Sequence, residues 1–260
     1  MKVGITDAAK AVLVRGTVAG NLFTLPPGQL DRKLYEEVNK VLAAGGGKWN
    51  RKLGGHEFPS EERLADLQKQ WMNGDEVVHV KKATQAFYTP DALADELVMF
   101  AGITSGMHVL EPSAGQGAIV KHLVKHGARV TAVEVDPVSC KVLRREFPDI
   151  GVVEKDFMEF DNAKLAVVQD PVWFDAVVMN PPFTGGQDIK HVTRAFEMLR
   201  PGGILVSVMS PGWLQSERQA HLEFKSMLKS HGGEIRQVPE GAFAESGTNI
   251  RTVMVRLWAD

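Results

Sequence analysis

The chain has 260 residues, enough for one large α/β domain with an appendage or for two modest domains. Its 44% hydrophobic and 24% charged residues are a globular balance that argues against disorder, and no apolar run approaches the roughly 20 residues that cross a bilayer. The net charge of −2 gives no whole-molecule attraction for a polyanion. Up to Thr89, however, Lys and Arg number 13 against 10 Asp and Glu, and beyond it 17 against 22, so the N-terminal part is the better candidate for such a contact. The first residues lack the apolar core of a signal peptide, which makes cytoplasmic residence the expectation. A single cysteine, Cys140, excludes an intrachain disulfide and a Cys-rich zinc site.

Residues 11–15 and 22–25 suggest a small hairpin around Ala19-Gly20-Asn21. Leu30, Leu34, Val38, Val41 and Leu42 then share one helix face, closed by Gly45-Gly46-Gly47. The stretch Lys48-Trp49-Asn50-Arg51-Lys52 reads as loop, and a second helix over 60–72 carries Leu64, Leu67 and Trp71 on one side. From Met107 the pattern changes to short apolar runs alternating with amphipathic stretches. That predicts an α/β doubly wound, seven-stranded, mostly parallel sheet over 86–260, with 1–85 as a small N-terminal α+β accessory region. Strands are expected at 107–110, 129–134, 152–154, 174–179, 204–209, 233–238 and 251–257, and helices at 90–101, 117–126, 137–146, 188–199 and 217–229. Pro201-Gly202-Gly203 is expected to stop the fourth of these helices and turn into the next strand.

Val109-Leu110-Glu111-Pro112-Ser113-Ala114-Gly115-Gln116-Gly117 is a strand running into a glycine turn that opens a helix, the place where an α/β sheet binds nucleotides. Gly115 and Gly117 let a ligand approach the backbone closely. Val120 stands where a dinucleotide fingerprint needs its third glycine, so a ligand without a pyrophosphate is favoured. Glu134, with Val135 after it, ends the next strand and is suited to a ribose diol. Asp156 offers an acceptor for an exocyclic amine, and Phe157 and Met158 offer an aromatic or thioether wall for an adenine. The set fits S-adenosylmethionine.

Asn180-Pro181-Pro182-Phe183 follows the apolar run 174–179. The lone pair of an aromatic amine is delocalised into its ring. Two acceptors, the Asn side-chain oxygen and the carbonyl of the next proline, can take both amine hydrogens and favour a tetrahedral nitrogen. The prolines stiffen the loop and leave its carbonyls unshared, and Phe183 offers a stacking face. A plain turn after a buried strand is the competing reading.

With these motifs in order, residues 86–260 resemble the class I S-adenosylmethionine-dependent methyltransferases, and the Asn-Pro-Pro-Phe loop resembles that of adenine-N6 DNA methyltransferases. The resemblance makes Phe87-Tyr88-Thr89-Pro90 the aromatic-Thr-Pro motif and Glu111 to Gly117, including Pro112 and Ser113, the glycine-turn motif. It makes Glu134 the ribose ligand, Asp156 the adenine-amine ligand, and Asn180 to Phe183 the catalytic loop, with Asn180 also beside the cofactor. It implies DNA as the expected nucleic-acid partner, with base flipping. Phe in the last loop position also occurs in rRNA guanine-N2 methyltransferases, which keeps RNA a rival. Protein glutamine is a further alternative, and a binding protein with a vestigial cofactor fold is the non-enzyme one. Such DNA enzymes commonly carry a large recognition domain, so specificity is expected from residues 1–82 and from loops. Lys48, Arg51 and Lys52 around Trp49 are candidate nucleic-acid contacts, with a core role for Trp49 as the alternative. Phe243 is the candidate second stacking wall, or else pins its loop to the core. His122 and His126 lie i,i+4 without a third ligand motif, so no metal is expected and the chemistry needs none.

Overall fold

A strand buried on both faces shows its hidden period only when each apolar residue is assigned to a side. In the computed structural model, Val109, Val130, Ala132, Ala176, Val178, Val206, Val208 and Met254 form one core, while Leu110, Val133, Val177, Met179, Leu205, Met209, Val253, Val255 and Leu257 belong to another. The residues alternate strictly, so the sheet separates two apolar layers. The structure describes residues 2–74, 76–78, 89–165, 172–243 and 251–260. It packs as two units, Met1–Ala86 and Phe87–Asp260.

The second unit holds the strands β7 (His108–Pro112), β8 (Arg129–Glu134), β9 (Gly151–Glu154), β10 (Phe174–Met179), β11 (Leu199–Met209), β12 (Glu234–Gln237) and β13 (Val253–Trp258). Their order across the sheet is β12-β13-β11-β10-β7-β8-β9, with β13 antiparallel to both neighbours. This is the doubly wound, mostly parallel sheet anticipated above. The helices are α4 (Asp91–Ala101), α5 (Ala118–Lys125), α6 (Pro137–Glu146), α7 (Gln187–Phe196) and α8 (Gln219–Ser230). Leu93, Leu97, Ile119, Leu123 and Leu143 place α4, α5 and α6 on the first core. Ile189, Val192, Ala195, Phe224 and Leu228 place α7 and α8 on the second. Local signals set the helix ends: Asp136 caps α6 by accepting from Ser139 N with Pro137 at the first turn, and Gly102 closes α4 at φ 64.

One boundary differs from expectation. Helix α7 ends at Phe196, and Leu199 already pairs with Phe174 in the sheet. Pro201-Gly202-Gly203 is therefore an irregularity inside β11 and not a helix stop. Gly202 N donates to Ala259 O at 2.9 Å, and a Cβ on Gly203 would lie 2.9 Å from Arg200 O. The Pro-Gly-Gly chemistry lets the strand bulge while its neighbour stays paired.

The first unit contains α1 (Asp7–Arg15), α2 (Arg32–Ala44) and α3 (Glu61–Asn73). A four-stranded sheet orders β2 (Thr17–Ala19), β3 (Leu22–Thr24), β5 (Gly55–Glu57) and β4 (Lys48–Asn50) as β2-β3-β5-β4, and β1 (Lys2–Gly4) pairs β6 (Glu76–Val78) separately. Residues 11–15, expected in a strand, are helical. Thr6 Oγ1 accepts from Ala9 N, and Ala9, Val12 and Leu13 fall on one buried stripe. Residues 48–50, expected in a loop, form an edge strand. A three-residue strand is too short to display a period, and residues 11–15 taken alone are only the second half of the nine-residue helix α1.

Leu97 is fully buried on the first core. Leu97→Ala should cost about 2–5 kcal/mol of unfolding free energy in urea titration, because a cavity remains beneath α4.

Candidate active site

All the candidate ligands on strands β7 to β10 lie at the C-terminal ends of parallel strands, where successive loops leave the sheet on one edge. The turn after β7 is tightly wound. Ser113 has φ 57, an uncommon left-handed value for a residue with a side chain, and Gly115 and Gly117 have φ 57 and 89. Ala114 N donates to Val133 O at 3.1 Å, pinning the turn to β8.

Glu134 is buried and holds two backbone amides. Its Oε2 accepts from Gly115 N at 2.7 Å and its Oε1 from Asp136 N at 2.8 Å. Each carboxylate oxygen keeps a second lone pair, so the group can still serve a diol. Burial raises its pKa, while the two amides pull in the opposite direction. Glu111, 2% exposed, is raised well above the ordinary glutamate range, first by burial and then by the charge of Glu134. Its Oε2 has no hydrogen-bond partner among the described residues. An orphaned buried acceptor beside a glycine turn suits a ligand bearing an ammonium group, and the methionine half of S-adenosylmethionine bears one. The residues present therefore fit that cofactor: Glu111 and the 113–117 turn would hold its amino-acid half, Glu134 its ribose.

Asp156 is exposed at the end of β9, with Oδ1 accepting from Met158 N at 2.8 Å at the head of a short 3-10 turn, Phe157–Glu159. Phe157 requires a correction. It is 3% exposed, packed against Phe160 and His191 at 6.1 and 5.5 Å between ring centroids, and offers no wall to a ligand. The exposed apolar groups here are Met158 and Val135, at 40% and 52%. Phe243 needs the same correction: at 2% exposure it belongs to the first core, which leaves its loop-pinning role. Gly117 is explained differently as well. A Cβ there would meet the Phe147 ring at 2.5 Å and Leu143 at 3.0 Å, so the glycine permits α6 to pack rather than a ligand to approach.

Asn180 ends β10 with Pro181 buried, while Pro182 and Phe183 are partly exposed. Asn180 Nδ2 donates to Thr89 Oγ1 at 3.0 Å, which brings Thr89 and Pro90 to the catalytic-loop candidate. Phe183 is backed by the first core. Phe87 and Tyr88 lie outside the described residues. Lys48, Arg51 and Lys52 are exposed on the first unit.

A group with no sequence forecast lies on α7. Asp188, His191 and Arg194, three apart, form one stripe on the helix that follows the catalytic loop. Asp188 Oδ2 accepts from Ser210 N and Oγ at 3.0 and 2.7 Å, holding the loop after β11. Arg194 donates from Nε to Phe157 O at 3.1 Å and from Nη2 to Phe160 O, holding the loop after β9. His191, its pKa lowered by burial, packs its ring on Phe157. The available signal was a polar triplet at helical spacing beside Ile189, Val192 and Ala195. His122 is buried and lies 3.0 Å from Asp91 and 2.9 Å from Asp95, bridging α5 to α4. Among the described residues no group of three metal-ligating side chains is assembled, and no helix is long and apolar enough to cross a membrane.

Sheet order, glycine turn and strand-end acceptors are those of the class I S-adenosylmethionine-dependent methyltransferases, and S-adenosylmethionine is the cofactor. More particularly, residues 79–198 match the ribosomal RNA adenine dimethylase family model. A curated relative, ribosomal RNA small subunit methyltransferase A of Chlorobium phaeobacteroides strain BS1, is 34% identical over 91 residues, 35% of each chain. The chain thus matches about a third of that relative's length. Among solved structures, the methyltransferase subunit of a type I restriction-modification system from Streptococcus thermophilus superposes with a TM-score of 0.57 at 16% identity, covering 76% of this chain and 49% of that one. The 23S rRNA methyltransferase ErmE gives 0.51 at 19% identity, covering 67% and 70%. These two likenesses concern the fold.

Two outcomes test the site. Glu111, with its pKa raised in the folded state, stabilises when protonated; that contribution is full below the ordinary value of about 4.5 and is lost as pH rises through the raised one. Glu111→Gln should therefore melt higher than wild type at pH 8, with the gain shrinking toward pH 4.5; a pH-independent difference would remove the buried-charge assignment. Arg194→Met should weaken S-adenosylhomocysteine binding about tenfold in calorimetry, since two charge-assisted hydrogen bonds to the Asp156 loop are lost. Unchanged affinity would uncouple α7 from that loop.

Proposed function

We propose that this protein transfers a methyl group from S-adenosylmethionine to the N6 amine of adenine in RNA. The observation that carries the reading is Asn180 at the end of β10, its amide nitrogen anchored by Thr89 and the rigid Pro181-Pro182-Phe183 run following. With Nδ2 engaged, the amide oxygen occupies the other branch and can accept one N6 hydrogen, while the Pro181 carbonyl accepts the second. The nitrogen lone pair is then drawn out of the adenine ring and toward the methyl donor. Bound S-adenosylmethionine supplies an electrophilic methyl carbon on a sulfonium. No strong base is required, because the methylated cationic amine is acidic. Phe183, braced from behind, would receive one face of the adenine, which must be unstacked to reach the site.

The choice of RNA rests on the adenine dimethylase match and on the name of the curated relative. It replaces the DNA expectation raised by the Asn-Pro-Pro-Phe loop alone. DNA adenine-N6 is the second reading, favoured by that loop.

Incubation with labelled cofactor and, separately, single-stranded RNA and DNA, followed by digestion, should yield N6-methylated adenosine from RNA. Label confined to DNA would install the second reading, and label on guanine would remove both. Asn180→Ala should reduce turnover by at least a hundredfold, about the effect of deleting one oxyanion donor, with cofactor binding retained. Wild-type turnover in that variant would end the assignment.

A further inference from the structure

We infer that the β4–β5 hairpin of the first unit is a docking site for single-stranded RNA, with Arg51 and Lys52 gripping phosphates and Trp49 stacking on a base. This rests on the RNA reading above and extends it to residues that the family match, 79–198, does not include.

The hairpin tip is held rigid by its own hydrogen bonds. Asn50 Oδ1 accepts from Lys52 N at 3.0 Å and Leu53 N at 3.2 Å, its Nδ2 donates to Glu57 Oε2 at 2.9 Å, and Gly54 N donates to Asn50 O at 2.9 Å. Gly54 closes the turn at φ 67. A tip so fastened loses little conformational entropy when it binds. At this tip Arg51 and Lys52 are exposed, and neither has an ion-pair partner among the described residues. Edge protection does not account for them. That role needs a charge on the strand itself, and Lys48 occupies it, opposite Glu57. Arg51 and Lys52 stand beyond the strand, on the turn.

The aromatic is equally specific. Trp49 is paired with His56 across β4 and β5, and His56 with Phe23 across β5 and β3. Phe23 and His56 are buried, yet Trp49, at the sheet edge, remains 53% exposed with its ring edge-on to His56 at 5.2 Å between centroids. Leu53 on the turn is also 53% exposed. Burial lowers the His56 pKa and favours the neutral ring, so the support beneath Trp49 is uncharged. A half-open tryptophan with two exposed cations a few residues away matches a ligand of alternating flat rings and negative charges. An acidic protein surface would satisfy the cations but leave the indole face unused.

The test is fluorescence anisotropy of a labelled oligoribonucleotide at several salt concentrations, on the full chain. Arg51→Gln/Lys52→Gln changes two exposed side chains and should leave the circular dichroism and melting temperature unaltered. It should weaken RNA binding at low salt and reduce the slope of log affinity against log salt by about 1.4, two contacts at roughly 0.7 each. Trp49→Ala should lose about tenfold in affinity with the salt slope unchanged, the signature of a lost stack. Affinity and slope equal to wild type in the double variant would overturn the hairpin assignment. Methylation of RNA at saturating substrate, measured alongside, separates the two ideas: retained turnover with unaltered binding removes only the hairpin, whereas no RNA methylation by the wild-type protein removes the parent reading.

Discussion

The buried carboxylate of Glu134 is the constraint on which the working edge of the second unit depends. A single side chain at the end of β8 accepts one amide from the turn after β7 and another from the start of α6. It therefore fixes the separation of two neighbouring strand ends and the direction in which the chain leaves both. Burial makes this costly, and the amides recover part of the cost only in this geometry. Glycine at 115 and the left-handed Ser113 follow from that bond, since the turn must double back to deliver its amide.

Helix α7 does for the second half of the edge what Glu134 does for the first. It begins after the short 3-10 turn Thr184–Gly186 that follows the catalytic-loop candidate, and its stripe of Asp188 and Arg194 reaches the loops after β11 and β9 on either side. The two devices differ in kind. Glu134 collects backbone amides with a negative group, and Arg194 collects backbone carbonyls with a positive one. Among the described residues, neither spends its charge on a partner of opposite sign.

Much of this was readable from sequence because the sheet is buried on both faces. Runs such as 130–133 and 176–179 are largely apolar and are followed by Glu134 and Asn180, so their limits stand out. The three-residue strands of the first unit lack that contrast, which hides the strand at 48–50, while residues 11–15 are only the second half of the nine-residue helix α1. At the site, residue type was legible and exposure was not. Phe157 and Phe243 have the chemistry of stacking walls, but an aromatic beside a strand end packs inward whenever a hydrophobic layer lies below it, and here one does. The α7 stripe was hidden for a different reason, since its partners are backbone atoms of loops remote in sequence and leave no compositional trace.

The nearness of Glu111 to Glu134 gives cofactor uptake a proton stoichiometry. Burial and the repulsion of Glu134 favour a proton on Glu111. An ammonium group arriving at its orphaned oxygen would favour the ionised form, so ligation would release a proton and apparent affinity would climb with pH. Calorimetric titration in buffers of differing ionisation heat counts that proton directly, and a heat independent of buffer would mean Glu111 meets its ligand already charged.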